Sequence, residues 1–566
     1  MNKPGGRRGP RRSGRVFGLL LLAVVPLLCV PGIASAAAAT AATPAGASAL
    51  PAGHPLTKQA CESCHAPRRV PTVDPGVLAH SVHAKLNCTD CHSDINAIPH
   101  ARRLEPVDCG GCHRRVLHQL RMGEHASGKA AGKRTPDCTD CHGAHDVQKV
   151  DSAAFRNSIP QRCAACHKEH YKGYMDRFHG QAAALGMAKA PRCSDCHDPH
   201  RPLPASDPHS SVAPGNLVAT CGQCHKNINA NFTRFDPHPQ PGNPAHSAVV
   251  FYSHIVMVAL LIFVFGFFGL HTVLWLQRGF VARLRGELPR VQAEGNAYVQ
   301  RFSTLQRWMH VTVIVSFILL AMTGLPLKYA SAPWAHFLSQ LLGGEPQMRD
   351  IHLVCAGITF GYFFLHLVVV AWRFVRTRDF GLFWGANSMV PRGKDLVDLY
   401  QNVRWFLYLG PRPRLDRWTY WEKFDYWAVF WGVAMIGASG LMLAIPALAA
   451  RVLPGQILNV AAVVHGEEAL LAVGFIFIFH YFHNHLRPEN FPMDITIFTG
   501  RLPLERFREE RPQQYERLVR EDKLQGVLVG PPSRLAVWAW TTFGAIVVLV
   551  GLALIVSVII TVAGGA

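Results

Sequence analysis

Seven times between residues 61 and 225 the chain repeats the order cysteine, two residues, cysteine, histidine: Cys61/Cys64/His65, Cys88/Cys91/His92, Cys109/Cys112/His113, Cys138/Cys141/His142, Cys163/Cys166/His167, Cys193/Cys196/His197 and Cys221/Cys224/His225. Two thiols three positions apart can add to the two vinyl groups of one haem, and the adjacent histidine then reaches the iron. The spacing is that of covalent c-type haem attachment. Zinc ribbons and disulfide scaffolds also use paired cysteines, but neither requires a histidine after every second one. The motifs take up 14 of the 16 cysteines.

The surrounding residues cannot form a core without help. From Leu56 to Phe235 there is no Trp, with only two Tyr (Tyr171, Tyr174) and four Phe (Phe155, Phe178, Phe232, Phe235). That is far too little apolar bulk for an ordinary domain of this length. Seven haem c groups, with about 26 residues each, would be the core, close enough together for electrons to hop. Short helices are expected after the motifs, with loops elsewhere. Full bis-histidine ligation needs a second histidine per iron. His83, His118, His125, His145, His179 and His200 are candidates, and His80, His100, His170, His209, His238 and His246 lie in the same segment. His83, His125 and His179 precede a motif, whereas His145, His170 and His200 each follow a motif histidine by three residues. That register suggests repeats without matching histidines to haems.

The chain divides accordingly. Residues 1–36 read as a signal peptide: Arg7, Arg8, Arg11, Arg12 and Arg15 precede an apolar run from Val16 to Val30 and the small-residue site Ala34-Ser35-Ala36. A retained anchor is the alternative, although the run is short for a span; either way the cysteine-rich segment is exported. Residues 37–55 form an Ala/Pro-rich disordered leader, 56–235 a heptahaem domain, 236–247 a stiff proline-rich linker and 248–566 a membrane domain. The formal charge of +20 is spread over the signal and the loops between apolar runs rather than gathered in one patch, so no nucleic-acid partner is expected.

Six apolar runs, at about 248–276, 305–327, 351–375, 426–449, 458–482 and 535–561, are long enough to cross a lipid bilayer. The segments 277–305, 376–424 and 486–534 hold 5, 9 and 9 Lys and Arg, against one each in 329–350 and 450–457. The positive-inside rule makes the first three cytoplasmic and places the cysteine-rich domain outside. Histidines within spans are costly and usually functional. His352 and His366 lie 14 apart in the third span, and His465 and His480 lie 15 apart in the fifth. Fourteen helical residues rise about 21 Å and return close to the same face. Two such helices could clamp two b-type haems, one near each membrane surface. His310, near the cytoplasmic end of the second span, is a further ligand candidate for the inner one.

Arg307-Trp-Met-His310, Thr323-Gly324, Arg349-Asp-Ile-His352 and the His465/His480 pair resemble the di-haem cytochrome b subunits of formate dehydrogenases and related hydrogenases. The resemblance implies that His352 and His465 hold the outer haem b, and His310 and His480 the inner. The chain departs from the family in a His465/His480 spacing one residue longer and in the extra His254, His271, His366 and His483. His366 is the alternative to His310 and His483 to His480, whereas His254 and His271 read as polar or packing residues. The whole chain resembles the cytochrome b/c fusions in the inner membrane of metal-respiring and related anaerobic bacteria. The stretches Trp418-Thr-Tyr-Trp-Glu-Lys-Phe-Asp-Tyr-Trp427 and His480-Tyr-Phe-His-Asn-His-Leu-Arg-Pro-Glu-Asn-Phe-Pro-Met-Asp494 look typical of their b module.

The fold expected is therefore mainly α: a haem-packed, loop-rich multihaem cytochrome c domain followed by a six-helix transmembrane cytochrome b bundle. The resemblance implies a bacterial inner-membrane quinol dehydrogenase that passes electrons from the (mena)quinone pool through two haem b and seven haem c to periplasmic cytochromes or other redox proteins in anaerobic respiration. Glu467 and Glu468 are candidate acceptors of the quinol protons, with a first-turn position on the fifth span as the bland alternative. His310, His366 or His483 could instead bind a quinone head group near the inner haem. Two rivals stand: a quinone-reducing anchor of a periplasmic dehydrogenase, and a non-catalytic structural or haem-storage module.

Overall fold

In the N-terminal half the cysteine motifs themselves start helical turns. In Asn87-Cys-Thr-Asp90, Asp137-Cys-Thr-Asp140 and Arg192-Cys-Ser-Asp195 the aspartate lies between the cysteines. Its carboxylate accepts the backbone N–H of the residue before the first cysteine, at 2.8, 3.0 and 2.8 Å. Such a cap closes one turn and sets residues three apart on one side. The N–H of His92, His113, His167, His197 and His225 then donates to the carbonyl of its own first cysteine at 2.9 Å. Short helices were expected after the motifs; they also coincide with them (Cys88–Cys91, Cys138–His142, Cys193–Cys196), because the aspartate supplies the cap. Others do follow, such as Arg114–Arg121 and Lys168–Met175.

The computed structural model describes residues 56–65, 73–101, 103–130, 134–287, 297–491 and 493–564. The expected signal peptide and leader lie outside the described residues. The described protein is mainly helical, and six helices are long and apolar enough to cross a membrane: Ala248–Leu284, Thr304–Lys328, Glu345–Thr377, Tyr420–Ala444, Gln456–Leu486 and Arg534–Ala563. This is the layout of a multi-pass membrane protein. The helix of the fourth span begins at Tyr420, ahead of the apolar run from about residue 426, because a Thr419/Glu422 capping box starts it there. The fifth leaves α geometry for π turns at Phe475–His480 and Phe482–Leu486.

The second and third spans form one hairpin through the short helix Pro333–Leu341, and the fourth and fifth form another through Pro446–Val452. The sixth covers the seam between the second and fifth, sharing a core of Ala321, Leu325, Val473, Phe477, Tyr481, Val548 and Ile555. The first packs on the fifth through Val264, Phe268, Leu471, Phe475 and Phe479. At the end far from the cysteine motifs, a three-stranded antiparallel sheet (Arg501–Pro503, Tyr298–Gln300, Leu528–Val529) encloses Val299, Leu502 and Phe507.

The halves meet along the segment read as a linker, which is pinned. Asp236 N–H donates to Asn459 Oδ1 at 2.9 Å, Asn459 Nδ2 donates back to Asp236 O at 2.7 Å, and Gly455 N–H donates to Asn231 O at 2.8 Å. Any side chain at Gly455 would collide with backbone of residues 231–235, so only glycine allows this approach.

Candidate functional site

Each of the seven motif histidines faces a histidine from elsewhere in the chain. The ring-centre separations are 5.9 Å for His65–His100, 6.1 Å for His83–His113, 6.4 Å for His92–His145, 6.4 Å for His125–His167, 6.2 Å for His142–His200, 6.0 Å for His179–His225 and 6.4 Å for His197–His238. The membrane helices add His352–His465 at 6.3 Å and His310–His480 at 6.4 Å. Two rings sharing one metal through bonds of about 2 Å would have centres about 6.3 Å apart. A directly hydrogen-bonded pair in the same protein is closer: His271 and His483 lie 5.2 Å apart with nitrogens at 3.2 Å. The residues therefore fit metal-centred groups held between two imidazoles.

His83, His125, His145, His179 and His200 each take part in a pair. His100 and His238 do so too, whereas His118 does not. His170 lies 6.2 Å from His167 and edge-on to His238 at 5.4 Å. Burial first, then the neighbouring His225, pulls His179 down to about 4; burial likewise lowers His92, His125, His142, His197, His225 and His238. Each shift favours the neutral imidazole, the form a metal ligand needs. Among the described residues no three His, Cys, Asp or Glu side chains converge on one point, so the arrangement differs from a zinc cluster.

None of the 14 motif cysteines is in a disulfide. Cysteines of successive motifs lie beside one another: Cys61 and Cys88, Cys91 and Cys109, Cys109 and Cys138, Cys141 and Cys163, Cys163 and Cys193, Cys196 and Cys221. The motifs thus follow one another in space in sequence order. Cys64, Cys112 and Cys166 are expected to attach haem like the rest. Cys112 is exposed where the turn Cys109–Gly111 ends, and it reaches back to Cys91. Cys166 is likewise exposed, its N–H donating to Cys163 O at 3.2 Å. Cys64 is half-buried near the end of the helix Lys58–His65, with Ser63 Oγ at 3.9 Å from its sulfur.

Within the membrane helices, small residues and acceptors set the rings. The hydroxyl of Thr323 donates to Leu319 O at 2.7 Å, and its oxygen takes the Nδ1–H of His352 at 2.9 Å. His465 Nδ1–H donates to Ile436 O at 3.1 Å, with Ser439 Oγ at 3.4 Å. His480 Nδ1–H donates to Asp425 Oδ2 at 2.9 Å. A carbonyl or carboxylate can only accept, so Nδ1 carries the proton and Nε2 keeps its lone pair for a ligand bond. His310 Nδ1 has no hydrogen-bond partner among the described residues. Gly324 and Gly440 give the rings room: an added Cβ would lie 3.2 Å from His352 Cε1 and 2.9 Å from His465 Cε1. The alternatives are engaged elsewhere, His366 Nε2 with Tyr426 OH at 2.8 Å and His483 with His271. His271 also bonds Tyr420 OH at 2.5 Å, a buried polar role.

The extra residue between His465 and His480 has a structural cause. Fifteen steps of about 100° overshoot the starting face by about 60°, but the π turns from Phe475 to His480 wind less per residue and bring His480 back.

A cavity of about 2160 Å³ runs through both halves. It is lined by the pairs His197–His238, His179–His225, His352–His465 and His310–His480, together with Cys193, Cys196, Cys221 and Cys224. Glu467 and Glu468 also line it. Both lie three turns into a helix that begins at Gln456, not in its first turn. Glu467 pairs with Lys328 at 3.2 Å. Glu468 is 2% exposed, and its Oε2 has no hydrogen-bond partner among the described residues. Asp425, Tyr426, Ser439 and Gly440 escaped the sequence reading; their signal is a polar or small residue in an apolar helix, at the depth of a histidine on the next. The chain matches no protein-family model and no curated protein sequence.

Proposed function

We propose that the protein is a membrane quinol dehydrogenase with seven haem c and two haem b, drawing on a menaquinol-type donor and serving redox proteins outside a bacterial inner membrane. The observation that carries this reading is the set of nine histidine pairs, each spaced for one metal, with four of them along a single cavity from the membrane helices to the last two cysteine motifs. When bound, such groups supply one-electron carriers. The cysteines would hold seven of them as thioethers. His352 with His465, and His310 with His480, would hold the two in the membrane, with Thr323, Ile436 and Asp425 fixing the imidazole tautomers.

The charge asymmetry of the loops supports an outward-facing cysteine domain. Apolar side chains keep water from the lower pair: Phe498 lies 6.5 Å from His310 and stacks on Trp540 at 5.5 Å. Glu468, enclosed beside the upper pair, is the candidate acceptor of a quinol proton, while Glu467 is paired with Lys328. The test is a pyridine haemochrome spectrum together with stopped-flow reduction by a menaquinol. The expected result is a b-to-c ratio of two to seven, with both classes reduced by the quinol. Zinc or disulfides in place of haem would refute the reading. Reduction only by a soluble donor would reverse the direction of flow.

A further inference from the structure

The second and fourth spans repeat one pattern 116 residues apart. Both are 25 residues long, Thr304–Lys328 and Tyr420–Ala444. Each opens on a capping box, Ser303/Gln306 and Thr419/Glu422, with matching bonds of 2.9 and 2.8 Å from the cap N–H to the side chain three residues on. In each a hydroxyl, Thr323 or Ser439, donates to the carbonyl four residues back, Leu319 at 2.7 Å or Met435 at 2.6 Å. Each sets the next residue, Gly324 or Gly440, against a histidine of the following helix. Each hairpin then turns through a short helix with proline in its first turn, Pro333 or Pro446. The two hairpins run in the same direction, so a pseudo-twofold axis lies along the bundle. It exchanges His352 with His465 and passes between them.

The same operation carries His310 to Tyr426. It carries His480 to His366 once the extra residue of the π turn is removed. The lower histidine pair therefore has a counterpart, His366–Tyr426, and the structure has these two in direct contact: Tyr426 OH lies 2.8 Å from His366 Nε2, with ring centres 5.7 Å apart. That contact leaves no room for a metal between them. The surroundings differ as well. The sixth span walls in His310–His480, whereas the third and fourth spans present exposed Phe364, Leu365, Val368 and Trp427 on the other side. An apolar groove of about 210 Å³ opens further along that seam, lined by Phe360, Phe363, Phe364, Val433, Gly437 and Ala438 but by neither His366 nor Tyr426. His366 meets it through Phe430, which packs on Phe363 at 5.2 Å. A polar pair at a lipid-facing seam is costly unless it serves a function.

We propose that His366 and Tyr426 dock the head group of a quinol entering from the lipid along this groove, at the pseudosymmetric counterpart of the His310–His480 position. The inference rests on the quinol reading above. A quinol hydroxyl donates to the imidazole nitrogen, a quinone carbonyl accepts from the tyrosine O–H, and the groove takes the start of the apolar tail. The axis puts the head group at the depth of His310 and His480, apart from Glu468 beside the upper pair.

The experiment uses full-length holoprotein in lipid nanodiscs and the fluorescent quinol analogue 2-heptyl-4-hydroxyquinoline N-oxide, whose quenching reports binding without turnover. Tyr426→Phe and His366→Leu are expected to weaken binding at least tenfold, with haem b and haem c absorbance unchanged. Ala438→Phe fills the groove from its exposed side, leaves both polar groups in place, and is expected to weaken binding at least threefold; with Tyr426→Phe it carries the test if His366→Leu misfolds. Unchanged binding in Tyr426→Phe and Ala438→Phe overturns the proposal, as does loss of a haem b in His366→Leu. Loss of binding in Glu468→Gln but not in Tyr426→Phe also overturns it and leaves the quinol reading standing. A wild-type protein that menaquinol fails to reduce removes both.

Discussion

Replacing Gly440 by alanine puts a methyl group where the flank of the His465 ring now lies, 2.9 Å from Cε1 and 3.2 Å from Nδ1. Carbon atoms in contact sit at about 3.5 Å or more, so the ring must retreat by about 0.6 Å. Gly324→Ala meets His352 Cε1 at 3.2 Å and needs about half that movement. Metal ligands tolerate displacements of about 0.2 Å, and overpacking of this kind costs about 1–3 kcal/mol, a loss of roughly 5- to 150-fold in site occupancy. Helix propensity acts with the opposite sign, since alanine favours a helix by about 1 kcal/mol over glycine; loss of helix therefore cannot mimic the effect. The assay is low-temperature EPR and haem b absorbance of isolated membranes. One of the two b signals should fall, with the c signals intact, in the order Gly440→Ala, then Gly324→Ala, then Gly266→Ala, where nothing lies within 4 Å. A Gly440→Ala protein identical to wild type, or no different from Gly266→Ala, would refute the assignment of His465.

Asp425→Asn removes the carboxylate that takes the Nδ1–H of His480. The group held at His310–His480 should gain reduction potential and be retained roughly 10- to 100-fold less firmly, while the His352–His465 site stays unchanged in a redox titration; an equal shift at both would count against the pairing. Lys423 is 2% exposed and bonds Asp395 at 2.8 Å. Lys423→Met strands that carboxylate and should cost about 3–5 kcal/mol, most of it recovered in Lys423→Met/Asp395→Leu as read by thermal unfolding. Burial alone would raise Glu510, yet Arg506, Arg487 and Arg511 together hold it at about 2, below its ordinary 4.5. Its folded-state value is depressed, so its contribution to stability is complete above about 4.5 and disappears as pH falls towards 2. Glu510→Gln should flatten the melting temperature across that window, and an unaltered acid profile would show the carboxylate to be unpaired.

The sequence was most informative where chemistry demands fixed spacing or length. The seven cysteine motifs, the six apolar runs and the four histidines of the membrane helices stand out directly, because a fixed motif spacing, a bilayer thickness and a polar ring in an apolar helix leave little latitude. Partners separated in sequence could not be read. His100 and His238 fall outside the register of His83, His125 and His145, and only the folded loops bring them to His65 and His197. The helix of the fourth span starts ahead of its apolar run because Glu422, Lys423 and Asp425 break the hydropathy there, although each has a partner: Arg511, Asp395 and His480. The one-residue excess between His465 and His480 looks like a mismatch until the π turn absorbs it.

The two lower positions also explain why the repeated hairpins need not do the same work. An imidazole nitrogen buried without a hydrogen bond costs about 1–3 kcal/mol. His310 and His480 face each other too far apart for a direct bond, and His310 Nδ1 has no partner among the described residues. Enclosed by the sixth span, that pair keeps one buried nitrogen without a partner among the described residues. His366 and Tyr426 satisfy each other. Their bond also has to be opened only partly to admit a hydroxyl. A single covering helix, laid over one seam and not the other, therefore makes two related positions unlike: one enclosed from water and lipid, the other beside the lipid-facing surface.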